Sequence, residues 1–213
     1  ERKFWKDDFS VDSSSQYTFN ASNYTFGDGV VVGDTTPAES DKFFVTNNPD
    51  LTGESFSVIW SSPAFHRTSE SGIMFRFPHG IEVLIYHPNE SSQLRIVRVG
   101  ITDSHTSKLG LQLVDVIYTE FATADAVCDW FNATHRLDVV KISSTQFRVY
   151  LDGALITTAT NLPTAPFNSL RGISISPYAG NRSVNIYEIT SSPSISYADD
   201  FTTDTTERYQ PVL

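Results

Sequence analysis

The sequence predicts an all-β chain folded as a two-sheet antiparallel jelly-roll sandwich, and three observations carry that prediction. Short runs alternate apolar and polar residues with a period of two, the signature of half-buried strands. Turn-forming clusters punctuate these runs: SSPAF, FPHG, HPNESS, LDGA, LPTAPFN and SPYAGN. A single stretch, TEFATADAVCDWF over residues 119–131, has any helical face. Ten or more strands at spacings of about 8–12 residues favour two stacked sheets over a small barrel.

Taken in chain order, DDFSVDSSSQYTF opens the chain and leads to FGDGVVVG. FSVIW (56–60) sets Phe56, Val58 and Trp60 on one face, which makes Trp60 a core residue. GIMFRF (72–77) places Ile73, Phe75 and Phe77 opposite Met74 and Arg76. GIEVLIY (80–86) sets Ile81, Val83 and Ile85 against Glu82, Leu84 and Tyr86; its two largely apolar faces predict a central strand. LRIVRV (94–99) continues the pattern, with Arg95 and Arg98 interrupting it. LGLQLVDVIY (109–118), LDVVKI (137–142), FRVYL (147–151), GISIS (172–176) and VNIYEI (184–189) complete the set. Between them, 119–131 reads as a loop or one short helix, with Phe121, Ala124, Cys128 and Phe131 on one side. Asp152-Gly153 marks a hairpin, since both residue types tolerate positive φ.

The chain has 213 residues, 25 acidic against 15 basic, for a net charge of -10. Such a surface repels phosphates, which excludes nucleic acid and anionic membrane surfaces as expected partners. No run approaches the roughly 18 apolar residues that span a bilayer, so no membrane insertion is expected. The chain starts at Glu1 with neither initiator Met nor signal peptide, which reads as a processed chain or a fragment. Cys128 is the lone cysteine, so an intrachain disulfide and a cysteine zinc site are excluded, and it reads as a small buried hydrophobe. Sequons at Asn20, Asn23, Asn89, Asn132 and Asn181 point to exposed glycosylation sites on an extracellular or cell- or virion-surface protein.

One repetition organises the chain. DDFSVDSSSQY (7–17) returns as DDFTTDTTERY (199–209), with five of eleven positions identical and three Ser/Thr exchanges. The offset of 192 residues suits one domain plus a linker rather than a solenoid repeat. The expected organisation is a sandwich over 1–190, a linker over 191–198 (SSPSISYA), and a strand over 199–213 resembling the opening of a second repeat. Phe201 and Tyr209 are then the residues expected to bury against another β-surface.

The order of DDFSVDSSSQYTF, FGDGVVVG, SGIMFRF, GIEVLIY, LRIVRV, the FRVYLDGALI hairpin and the closing GISIS and VNIYEI strands resembles the concanavalin A-like lectin/glucanase jelly roll, in its laminin-G-like or carbohydrate-binding form. The resemblance spans about residues 5–190 and implies a structural Ca²⁺ where the opening and closing strands meet. Hard oxygen ligands suit that ion, and Asp7, Asp8, Asp28 and the carbonyl of Gly29 are the matching positions. The alternatives are an edge strand solubilised by Asp7 and Asp8, and a plain turn at Asp28-Gly29.

Glucanases of this fold carry Glu-x-Asp-x-Glu on one strand, so that alternation aims the carboxylates into one cleft. No such triplet occurs; Glu82 and Asp115 stand alone on their strands, and Glu120 lies outside the alternation. The expectation is therefore a chain that is not an enzyme and has no catalytic residues. His66, His79, His87, His105 and His135 read as surface loop residues, none in a zinc-protease i, i+4 pair. Sugars stack on flat aromatic faces, and Trp130, Tyr178, Tyr86 and Tyr118 are the ligand-binding candidates. The function expected is a non-catalytic carbohydrate-binding or adhesion module, with glycans as partners. The alternative is a structural repeat of a fibrous or virion surface assembly, whose partners are neighbouring copies joined through the C-terminal strand.

Overall fold

The computed structural model describes residues 4–19, 21, 23–27, 30–34, 44–46, 55–63, 71–77, 81–87, 93–94, 97–102, 108–116, 119–121, 123–143, 146–159, 173–179 and 183–192. Two antiparallel sheets dominate. The first runs β15 (Ala154–Ala159), β14 (Gln146–Leu151), β13 (His135–Ser143), β6 (Ser55–Ser61), β17 (Ser183–Ser192), β4 (Val30–Asp34) and β3 (Tyr24–Gly27), with β1 (Trp5–Asp7) also on β17. The second runs β11 (Lys108–Val116), β10 (Val97–Thr102), β8 (Ile81–His87), β7 (Ser71–Phe77), β16 (Ser174–Ala179), β5 (Phe44–Thr46) and β2 (Tyr17–Thr18). A two-stranded ribbon pairs β9 (Gln93–Leu94) with β12 (Thr119–Glu120). The expected all-β sandwich is therefore the observed one.

Alternation builds the core as the sequence implied. Ile73, Phe75 and Phe77 of β7 and Ile81, Val83 and Ile85 of β8 are buried in it. They meet Phe56, Val58 and Trp60 of β6, with Phe56 stacked on Phe77 at 5.5 Å and Trp60 tilted on Phe75 at 5.5 Å. Burying one such aromatic side chain stabilises by about 1.5–3 kcal/mol. β17 departs from simple alternation: its register to β6 shifts between Ile186 and Glu188. The bulge turns both Ile186 and Ile189 into the core although they are an odd number of residues apart.

Asp152 and Gly153 have φ of 52° and 80°, the two left-handed positions a tight hairpin needs between β14 and β15. Of LRIVRV, Leu94 belongs to β9 and residues 97–99 to β10, while 95–96 lie outside the described residues. The 119–131 stretch contains α1 (Ala124–Asn132), whose Thr123 hydroxyl accepts from the Ala126 N–H at 3.3 Å. Its Val127 and Phe131, four residues apart, are fully buried in the main core. Cys128 is half-buried and packs against that core. Among the described residues no helix is long and apolar enough to cross a membrane.

Candidate functional site

The seven-stranded sheet keeps its apolar core residues on one face and a second, smaller set on the other. On that outer face β7 contributes Met74 and Arg76, and β8 contributes Glu82, Leu84 and Tyr86. The antiparallel register sets Arg76 opposite Glu82, Met74 opposite Leu84 and Gly72 opposite Tyr86. Arg76 Nε donates to Glu82 Oε2 at 2.9 Å, and each residue is only 3% exposed. Met74, Leu84 and Tyr86 form their own buried cluster beside the pair. A buried ion pair contributes little net stability against its desolvation cost, so its position at the centre of a sheet face marks a built polar site.

Gly72 shapes the same face. A Cβ there would collide with the Ile85 carbonyl oxygen and lie 2.6 Å from Tyr86 Cβ, so no side chain fits between the two strands. Tyr178 of β16 is the register partner of Gly72 on its other side. Tyr86 and Tyr178, two of the four aromatic candidates, thus occupy one row across three strands, with Gly72 between them. Arg98 is opposite Leu84, and Asp115 opposite Arg98, so a further carboxylate position lies two strands from β8.

A second polar cluster closes the end of the other sheet. His135 is the register partner of Trp60 and lies on the core side with Leu137 and Val139, 5% exposed. Its Nδ1 is 2.7 Å from Asp152 Oδ2 and its Nε2 is 2.6 Å from the Trp130 carbonyl. Each ring nitrogen thus has an oxygen partner, one in the β14–β15 turn and one at the end of α1. The Trp130 indole stacks on the ring at 3.8 Å. Asp152 also accepts from the Arg136 N–H at 2.8 Å through Oδ1. Burial pushes the Asp152 carboxyl up, but the bonds from His135 and Arg136 and the His135 charge outweigh it, and the net direction is downward.

A carboxyl held low contributes stability above its unfolded value and loses it as pH falls through the folded one. Asp152→Asn is therefore expected to lower the urea midpoint clearly at pH 7 and progressively less towards pH 3. Equal losses at both ends would show that the Asp152 charge is not what holds the hairpin to α1.

The structure sorts the sequence-derived candidates. Trp130 is half-buried in the α1 cluster, away from the Tyr86–Tyr178 row. Tyr118 lies outside the described residues. The surface reading of the histidines is corrected at His135 and at His87, which is 1% exposed; both sit within strands whose alternation turns them inward. His66, His79 and His105 lie outside the described residues. HRLDVV already alternated His135 with Leu137 and Val139, a signal that could have placed it inside.

Asp7 uses both carboxylate oxygens locally, accepting from the Phe9 N–H at 2.9 Å and the Tyr17 hydroxyl at 2.6 Å. Desolvation first, then this bond, drives the Tyr17 hydroxyl far above its ordinary value. Asp8 accepts from the Ser10 N–H at 3.1 Å. Asp28 and Gly29 lie outside the described residues, among which no cluster of three His, Cys, Asp or Glu side chains is placed to hold a metal. Of the sequons, Asn132 is exposed at the end of α1. Asn23 is 8% exposed, a correction to the expected surface site: it sits beside Tyr24, inside the fold. Asn20, Asn89, Asn181, Phe201 and Tyr209 lie outside the described residues.

Neither a protein-family model nor a curated protein matches the chain. Solved structures do. The laminarinase catalytic domain from Thermotoga maritima MSB8 superposes with a TM-score of 0.58 at 10% identity, covering 90% of this chain and 97% of that one. The Emp46p carbohydrate recognition domain gives 0.55 at 11% identity, covering 88% and 95%. Porphyranase B from Zobellia galactanivorans gives 0.54 at 13% identity, covering 87% and 89%. These matches correct the expectation that the chain is not an enzyme. Most of the similar structures carry enzyme names, so a missing Glu-x-Asp-x-Glu triplet does not set this chain apart as non-catalytic. At such low identity over nearly the whole chain, what is shared is the fold, and this protein is built as a concanavalin A-like jelly roll.

Proposed function

We propose that this protein is carbohydrate-active and takes a glycan on the outer face of the seven-stranded sheet. The observation that carries the reading is the Arg76–Glu82 pair, buried with Met74, Leu84 and Tyr86 on the face turned away from the core. At 3% exposure the pair does not itself meet a ligand; it fixes the strands of that face, and aromatic residues on such a sheet stack on sugar C–H groups. The fold supports the same reading, since its matches include a carbohydrate recognition domain and enzymes named for their polysaccharides. The net charge of -10 favours neutral over sulfated or phosphorylated chains. The exposed sequon at Asn132 suits a protein working outside the cell.

The experiment is a glycan array on the intact protein, followed by incubation with each bound glycan and detection of new reducing ends. Binding to at least one neutral polysaccharide is expected. Glu82→Gln is expected to weaken it at least tenfold while near-UV circular dichroism stays native. A folded Glu82→Gln protein that binds as tightly as the wild type would place the site elsewhere. An array without any hit would sink the carbohydrate reading.

A further inference from the structure

β15 (Ala154–Ala159) ends the eight-stranded sheet. Among the described strands it pairs with β14 alone, so its other edge presents backbone N–H and C=O groups with no described strand beside them. Such an edge is a template for another strand, and proteins usually guard it with charge or proline. ALITTA has neither. β11, the edge strand of the seven-stranded sheet, carries Lys108 and Asp115. β14 beside β15 bears Arg148 as its one charge and no carboxylate, in a chain of net charge -10. Two copies therefore meet here with less repulsion than at an average patch of the surface. Ala154 and Leu155 are exposed, Leu155 by 53%, and Ile156, Thr157 and Thr158 are half-buried.

The register inside the sheet decides whether this strand fits its own copy. Phe147, Val149 and Leu151 of β14 are buried in the core, so Arg148 and Tyr150 face outward. Leu155 is the register partner of Tyr150, and Thr158 that of Arg148, which puts both on the outer face. They are an odd number of residues apart because the register shifts between Val149 and Tyr150 and leaves Ile156 as the extra residue, packed against the core. Ala154, Thr157 and Ala159, opposite Leu151, Val149 and Phe147, share that inner face. A two-fold axis through the middle of the strand pairs Leu155 with Thr158, Ile156 with Thr157, and Ala154 with Ala159 of a second copy. Every pair then joins residues of the same face, as an antiparallel ladder requires. An unbulged strand of the same length fails that requirement about its own centre, because residues an odd number apart point to opposite faces.

We propose that β15 is a self-docking edge, on which a second copy of this chain pairs antiparallel about a two-fold axis and joins the two eight-stranded sheets into one. Each Leu155 then packs on Thr158 of the other copy, and Arg148 of that copy lies one strand further along the same row. The contact is isologous and closes at two copies, so it gives a dimer rather than a fibre. Six residues of strand span about 20 Å, a contact at the small end of stable interfaces, so the dimer forms at micromolar rather than nanomolar concentration. The inference is independent of the glycan reading, because this edge belongs to the other sheet.

The test is sedimentation velocity on the full chain from low to high micromolar concentration. The wild type is expected to shift from monomer to dimer over that range. Leu155→Lys sets an ammonium against Arg148 of the second copy and is expected to weaken association about tenfold or more, with the melting temperature at dilution unchanged. Leu155→Glu meets the same guanidinium with the opposite charge and is expected to keep the dimer. A chain that stays monomeric throughout overturns the proposal, and so does a dimer that the two variants affect alike. In a Cys128→Ala background, Leu155→Cys combined with Thr158→Cys is expected to form interchain disulfides under mild oxidation, because the two positions face each other across the pair. Neither single variant is expected to do so. Cross-linking by Leu155→Cys alone, or none by the double variant, overturns the register and with it the two-fold pairing.

Discussion

Replacing Arg76 by Met is expected to lower the unfolding free energy by about 3–5 kcal/mol, the cost of leaving a buried charge without its partner. Glu82 is 3% exposed and receives the Arg76 Nε–H at 2.9 Å. Without the guanidinium its buried carboxylate has little solvent to replace the lost bond. The melting temperature should fall by roughly 10 °C. The double variant Arg76→Met, Glu82→Leu removes both charges and keeps the volume, and should recover most of the loss. Urea denaturation of the three chains measures this. If the double variant stays as unstable as Arg76→Met, the pair matters through its shape rather than its charge.

Trp60→Ala should cost a comparable 3–5 kcal/mol, with a different signature. Trp60 is fully buried at the junction of three elements: β7 through Phe75, α1 through Trp130 and Phe131, and β13 through His135 at 5.2 Å. Removing the indole takes away the surface on which α1 rests. The Ser62 N–H donates to the Phe131 carbonyl at 2.7 Å and ties the strand end to the helix. Amide exchange over 124–135 should therefore accelerate more than exchange in β7 and β8. Trp130→Ala, at a half-buried position, should cost less. Uniform acceleration across both sheets would mean that α1 is held by other contacts.

Much of this protein was legible before any coordinates. Strand alternation is a local property, so Ile73, Phe75 and Phe77, or Leu137 and Val139, could be assigned to a core from neighbours two residues away. The Asp152-Gly153 turn was legible for the same reason, because positive φ is a demand on the residue itself. Met74, Arg76, Glu82 and Tyr86 could be placed on the opposite face of their strands. What that face would contain could not, since Arg76 and Glu82 become a pair only through the hairpin register.

The sequence by itself therefore determined the strands, the core face of each and the repetition of the opening segment in the tail. The tertiary structure alone decided the rest. It decided that the β17 bulge turns Ile189 inward, and that His135 is enclosed between Asp152 and Trp130. It decided that Asp7 binds Tyr17 ten residues away. Each of these depends on a register or a contact between segments distant along the chain. Alternation tells which way a side chain points; only the pairing of strands tells what it meets there.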